Sequence, residues 1–374
     1  MRGRPELITE YAKDQALLGT TTKKVAFGAG LVFLAVLPWL FTEGTQDELT
    51  RLFATAFITC IGAIGINIVA GYAGQISLAH AFFLGLGAYT AAVIAGPTGE
   101  RVWGLGISEI WIWLPIAGLV PALVAIVVGP LAVRVRGLYL AVLTLGLVEL
   151  GTYLFRTLDF VTGGSSVGRN TAPATLFGMD LRARGDIAIP LDRLQRMYFL
   201  GLLVLLLLGW LAANFLRSAP GRAFTAVRDR DVAAELMGVN LLQTKTLAFA
   251  VSAFYAGVCG AMLSLLVTSN QSDQYNLVVS LEFLAIILIG GMGRMSGAVL
   301  GTAFVVLSPR LLDELPQYLS FLEGGATGGF LNVFQLRIIL YGVLIIVVLI
   351  AEPRGAYGVW LRMRNYFKAW PFSY

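Results

Sequence analysis

Charged residues are scarce. Asp, Glu, Lys and Arg make up 13% of the 374 residues, where a soluble domain carries about 25%, and that shortfall excludes an ordinary water-soluble globule. Histidine occurs once, so a multi-histidine metal site is excluded. Cysteine occurs twice, and Cys60 and Cys259 both fall inside apolar runs, where packing is the expected role rather than a disulfide. No Gly-Lys pair occurs anywhere. A P-loop is therefore absent, and any energy from ATP must come from another chain. No Ser/His/Asp constellation and no zinc spacing marks the chain as an enzyme. The net charge of +5 is carried in short loops between apolar runs, which gives no reason to invoke nucleic acid.

What is present is apolar length. Hydrophobic residues make up 57% of the chain, and several runs exceed the roughly 18 residues that identify a membrane-spanning helix. Barrel strands would be about 10 residues long and alternating. The expected fold is all-α: a polytopic bundle of about ten spans at 25–41, 52–70, 81–96, 111–133, 138–158, 197–216, 247–267, 278–292, 296–312 and 333–351. The organisation reads as a cytosolic N-terminal segment 1–24, a transmembrane domain 25–351 and a basic cytosolic tail 352–374. Lys and Arg gather in 1–24, 134–136, 217–245 and the tail, whereas short loops of the opposite side carry only Arg51 and Arg101. The long 159–195 loop, with four arginines, is the exception. This bias predicts both termini in the cytosol, 217–245 cytosolic and 159–195 extracytoplasmic.

Two interruptions echo each other. Gly71-Tyr72-Ala73-Gly74-Gln75-Ile76-Ser77 matches Gly290-Gly291-Met292-Gly293-Arg294-Met295-Ser296 as G-x-x-G-polar-apolar-S, 219 residues apart. Glycine-interrupted apolar segments in corresponding positions point to a transport path, because freed backbone groups must be satisfied by protein or water. The candidate path is therefore Gly71, Tyr72, Gly74, Gln75, Ser77 and His80 with Gly290, Gly291, Gly293 and Ser296. The span map gives both breaks the same sense, whereas an inverted repeat needs opposite senses; either the map is one span wrong or the repeat is parallel. Tight turns between spans are the plainer alternative. Glu149 is the deepest intramembrane charge, with structural pairing to an Arg or a place at a subunit surface as its candidate roles. His80 reads as a packing histidine and Asn67 as an amide joining helices.

Between the sixth and seventh spans lies Arg217–Asn240, the most hydrophilic long segment of the C-terminal half. Its second part, 231–238, reads as a two-turn helix capped by Asp229 or Asp231 and ended by Gly238. A helix so short must dock to persist. Asp231, Ala233, Ala234, Glu235 and Gly238 are the candidate coupling residues, the two alanines giving a slim face for a partner's groove. A solvated helical loop is the alternative.

The stretches 67–92, 136–150, 162–165, 221–240, 248–262 and 290–301 together resemble the permeases of branched-chain amino acid ABC importers, the LivM type, over about residues 51–312. The resemblance implies an ATP-driven import subunit of the bacterial plasma (inner) membrane that works by alternating access. It implies a homologous LivH-like permease as heterodimer partner, two cytosolic ABC ATPases, an extracytoplasmic solute-binding protein and surrounding lipid. It implies no cofactor on this chain, with ATP and Mg on the partner subunits. In the family a Glu often precedes the two alanines; here Val232 stands there, between Asp231 and Ala233. Similar permeases serve urea and short amides, and the sequence does not choose between these and branched-chain amino acids. A stand-alone channel or ion-coupled carrier is the alternative from another class; the docking helix argues against the first and the scarcity of mid-span acids against the second.

Overall fold

The computed structural model describes residues 21–40, 46–98, 102–133, 138–164, 168–176, 178–181, 191–267, 269–313 and 355–369, with scattered positions between 339 and 350. Segment 1–20, the 333–351 span as a whole and the end of the tail lie outside the described residues.

Helix dominates what is described. The elements are α1 (Thr21–Leu40), α2 (Gln46–Ile66), α3 (His80–Ala95), α4 (Ile110–Val133), α5 (Leu138–Thr157), α6 (Arg193–Arg217), α7 (Ala219–Asp229), α8 (Asp231–Leu236), α9 (Leu241–Leu266), α10 (Leu277–Gly290), α11 (Met295–Asp313) and α12 (Gly355–Ala369). Helices begin before the apolar runs do, because polar residues start them. Asp47 and Glu48 occupy the first turn of α2, where carboxylates favour the positive helix end. Asp192 and Gln195 form a reciprocal capping box on α6, and Asn240 caps α9 by accepting from the Gln243 amide at 3.1 Å.

α9 is the central helix, packed against α2, α3 and α4. Its small-residue face allows the approach: a side chain on Gly257 would strike the Ala117 carbonyl, and one on Gly260 the Leu84 carbonyl. Helices in lipid associate through such small residues, since lipid tails are as apolar as the side chains. Gly62 lies against Phe283 and Gly71 against Gly293, so α2 and α10 run side by side in the same direction. The two glycine breaks are therefore related in parallel and not as an inverted pair.

Among the described residues five helices are long and apolar enough to cross a membrane, or six if α10 and α11, bent by 117° at their break, count as one. The eighth and ninth apolar runs are thus the two arms of one bent unit. At 1.5 Å per residue α10 is roughly 21 Å long, short of the ~30 Å hydrocarbon core. α11 doubles back along it, with Gly297 against Gly290 and Gly301 against the Ile286 carbonyl, and Arg310 near its end pairs with Glu48.

At the end away from the breaks, much of the long loop is folded. β1 (Arg169–Asn170) pairs antiparallel with β4 (Ser269–Asn270), and β2 (Thr175–Leu176) with β3 (Met179–Asp180). The buried Arg169 guanidinium donates to the carbonyls of Val161 (2.5 Å), Ala92 (2.7 Å) and Trp103 (2.7 Å). Gly163, in left-handed conformation, ends the single turn Asp159–Thr162. Arg156 pairs with Asp273 at 2.7 Å.

Candidate functional site

The first break is not a tight turn. α2 widens into a π-helical turn, Asn67–Tyr72, a distortion frequent at functional positions. The chain then runs without regular structure through 74–78, turning at Gly74 (φ +68), and re-enters helix at His80. Gln75, Ser77, Ala79 and His80 are buried, so this is irregular backbone inside the bundle. Its freed amides find side-chain acceptors: Leu78 N donates to Thr144 Oγ1 (2.9 Å), Ala79 N to Ser77 Oγ (3.3 Å) and Ala81 N to Ser280 Oγ (2.9 Å). Ser280 lies ten residues before Gly290, about 15 Å along α10. The irregular segment therefore reaches from the break deep into the bundle. The Gln75 amide finds no hydrogen-bond partner among the described residues, and neither does His80 Nε2; the His80 ring packs 4.6 Å from that of Phe283.

The second break meets the first. Asn67 Nδ2 donates to the Arg294 carbonyl (2.9 Å) while Asn67 Oδ1 accepts from Gly293 N (2.8 Å). The Tyr72 phenol lies beside the Met295 backbone. Gly293 adopts φ +77, a conformation open to glycine at little cost. Gly290 is buried and Ser296 exposed. Arg294, for which the sequence offers no partner, stacks its guanidinium 4.4 Å over the Tyr357 ring and donates to its hydroxyl (3.0 Å). Beside it Gly355 packs on Gly291 and the Ile289 carbonyl.

The coupling segment joins the same place. It holds two helices, and the first, α7, escapes the sequence reading although Pro220 near its start is a helix-start signal. Gly221, Phe224 and Val227 face inward on α7, and Arg228 Nη1 donates to the Gly71 carbonyl at 2.9 Å. α8 follows after one residue. Arg230, and neither Asp229 nor Asp231, occupies its N-cap, without a side-chain cap; the Asp231 carboxylate accepts from Val232 N instead. Gly238 takes φ +87 as the left-handed residue beyond the helix. Ala233 and Glu235 are exposed, but Ala234 is 5% exposed and turned into the chain's own body. The outward face is instead apolar: Val232 is 59%, Leu236 83% and Met237 86% exposed.

Between the first break and this segment opens a polar cavity of about 290 Å³, lined in part by Gly74, Gln75, Arg228, Arg230, Asp231 and Lys245. A second, apolar cavity of about 450 Å³ lies among α3, α4 and α5, lined by residues such as Leu86, Val93, Ile116 and Phe155. Glu149 is exposed on the outer face of α5 and makes no ion pair among the described residues; Arg156, its nearest candidate partner in sequence, is engaged by Asp273. The arrangement offers no nucleophile–base pair. It offers a long irregular segment, a glycine-to-glycine contact and a short exposed helix tied to that contact.

Residues 49–349 match the family model described as branched-chain amino acid transport system / permease component. The chain is 31% identical over 324 residues to the high-affinity branched-chain amino acid transport system permease protein LivM of Escherichia coli (strain K12), covering 83% of this chain and 73% of that protein. The LivM protein of Salmonella typhimurium (strain LT2) is 30% identical over the same shares. A shorter likeness, 31% over 134 residues and a third of each chain, links it to the xylose transport system permease protein XylH of Escherichia coli. No solved structure matches. With membrane-length helices, no catalytic constellation and a family match across most of its length, the chain belongs to the permease components of branched-chain amino acid transport systems.

Proposed function

We propose that the chain is one of two homologous permeases in an ATP-driven importer of the bacterial inner membrane, taking up branched-chain or other hydrophobic amino acids by alternating access. It is a polytopic membrane chain with both ends in the cytosol. Two cytosolic ATPases dock under the permease pair, one of them on α8, and hydrolyse ATP with Mg on their own chains. An extracytoplasmic binding protein delivers the solute to the folded 159–195 region. Selectivity rests largely with that protein, and the path past the breaks is lined by small residues.

The observation that carries this reading is α8. A six-residue helix exposing Leu236 and Met237 is far too short to hold itself in water, and an exposed apolar knob of this kind marks an interface. Gly355 lies at the same end as Arg228, which supports a cytosolic tail. A mid-helix carboxylate on the outer face of α5 supports a protein rather than lipid neighbour there.

The test is co-purification of the tagged chain in mild detergent with mass spectrometry of what accompanies it. Two ATPases and a second permease are the expected result. Titrating the associated binding protein with leucine, urea and short amides then fixes the substrate. A chain that comes down alone as a homo-oligomer sinks the ATP-coupled reading in favour of a channel or carrier.

A further inference from the structure

Resting on the importer reading, we infer that Arg228 and Asn67 are positioning residues that carry movement of the docking helix to both glycine breaks at once. Three observations lead there. The Gly71 carbonyl lies where the π-helical turn ends: Ala73 N bonds back to Ile68 O (3.0 Å) and Gln75 N to Val69 O (2.9 Å), skipping Gly71. Its donor comes from 157 residues away, the Arg228 guanidinium. Arg228 stands three residues before the start of α8, so the helix that meets the ATPase and the group that grips the break are almost contiguous. Asn67, in the same π-turn, uses both ends of its amide on the second break, giving a proton to Arg294 O and taking one from Gly293 N.

The glycines make the node compact. A methyl group on Gly71 would overlap Asn67 Oδ1 and Gly293 N; one on Gly293 would meet Arg228 Nη1 at 2.7 Å and Gly71 O at 2.9 Å. Interfaces packed this closely are bistable rather than continuously deformable, so the breaks separate together or stay together. A displacement of α8 pulls the Gly71 carbonyl through Arg228, and Asn67 passes it to Gly293 and Arg294. Neither Arg228 nor Asn67 touches solute in this scheme.

The experiment uses the complete transporter in proteoliposomes, measuring both uptake and binding-protein-stimulated ATP hydrolysis. For Arg228→Ala we expect the ATPases to remain bound and hydrolysis to continue, while solute moved per ATP falls about tenfold, the scale of losing one charge-assisted hydrogen bond. Arg228→Lys restores most of the ratio, since an ammonium can reach the same carbonyl. Unchanged solute per ATP in Arg228→Ala overturns the inference. Loss of the ATPases from Arg228→Ala also overturns it, because Arg228 would then only shape the docking surface. A second measurement needs no variant: hydrogen exchange of wild-type peptides covering 68–76 and 291–297, with and without a non-hydrolysable ATP analogue. Protection changing in both peptides supports the linkage, and a change in only one refutes it. If the wild-type chain brings down no ATPase at all, the importer reading fails first and separately.

Discussion

Gly71 and Gly293, 222 residues apart in sequence, pack so closely that neither position leaves room for a side chain. One ends the π-helical turn after α2; the other, at φ +77, sits between α10 and α11. Their contact closes the end of the molecule that carries the coupling segment.

Gly71→Ala and Gly293→Ala should each destabilise the chain by about 1–3 kcal/mol through overpacking, with Gly293 further penalised by its left-handed backbone. Gly146→Ala is the control, since a Cβ there meets nothing within 4 Å. Thermal unfolding of the purified complex in detergent checks this: lowered midpoints for the first two, none for the third.

Leu236→Ser with Met237→Ser should leave folding intact, because both side chains are almost wholly exposed. ATPase retention should fall at least about tenfold if they act as interface anchors of the usual ≥ ~1.4 kcal/mol. Quantitative pull-down reads the effect; full retention would move the docking site elsewhere on the chain.

Arg169→Met should cost roughly 2–5 kcal/mol, since three carbonyls held by one buried guanidinium lose a charged donor. Arg156→Ala removes an exposed pair and should cost less than about 1 kcal/mol. Limited proteolysis of 159–195 should accelerate in the first variant alone.

Thr144→Val and Ser280→Ala each strip the acceptor from one amide of the irregular segment. Leaving such a buried donor unpaired costs about 1–3 kcal/mol. Exchange of the Leu78 or Ala81 amide, respectively, should rise while amides of α9 stay protected.

Much of this was legible from apolar length and glycine. Nine of the expected spans have a helix at their position, and both breaks fall where the paired G-x-x-G patterns put them. Helix starts were less legible, because hydropathy stops at Asp47, Asp192 or Asn240 while the helix is begun by those polar residues. The inward turn of Ala234 follows from geometry that spacing alone conceals: adjacent helical residues point about 100° apart, so Ala233 and Ala234 cannot share one face. Arg228 was invisible as a linking residue. Nothing local distinguishes it from Arg222 or Arg230; only the tertiary approach of Gly71 does. For Glu149 the general rule for intramembrane acids left a pair with an Arg and a place at a subunit or cavity surface both open; its side chain lies on the outside of α5, without an ion pair among the described residues.

That last feature bears on how the complex is built in the cell. A carboxylate on the outer face of a spanning helix costs on the order of 3 kcal/mol while the face meets hydrocarbon. If the proposed sister permease covers α5, the assembled pair is spared that penalty and the lone chain is not. On that reading a single exposed acid favours the completed assembly over the unpaired subunit.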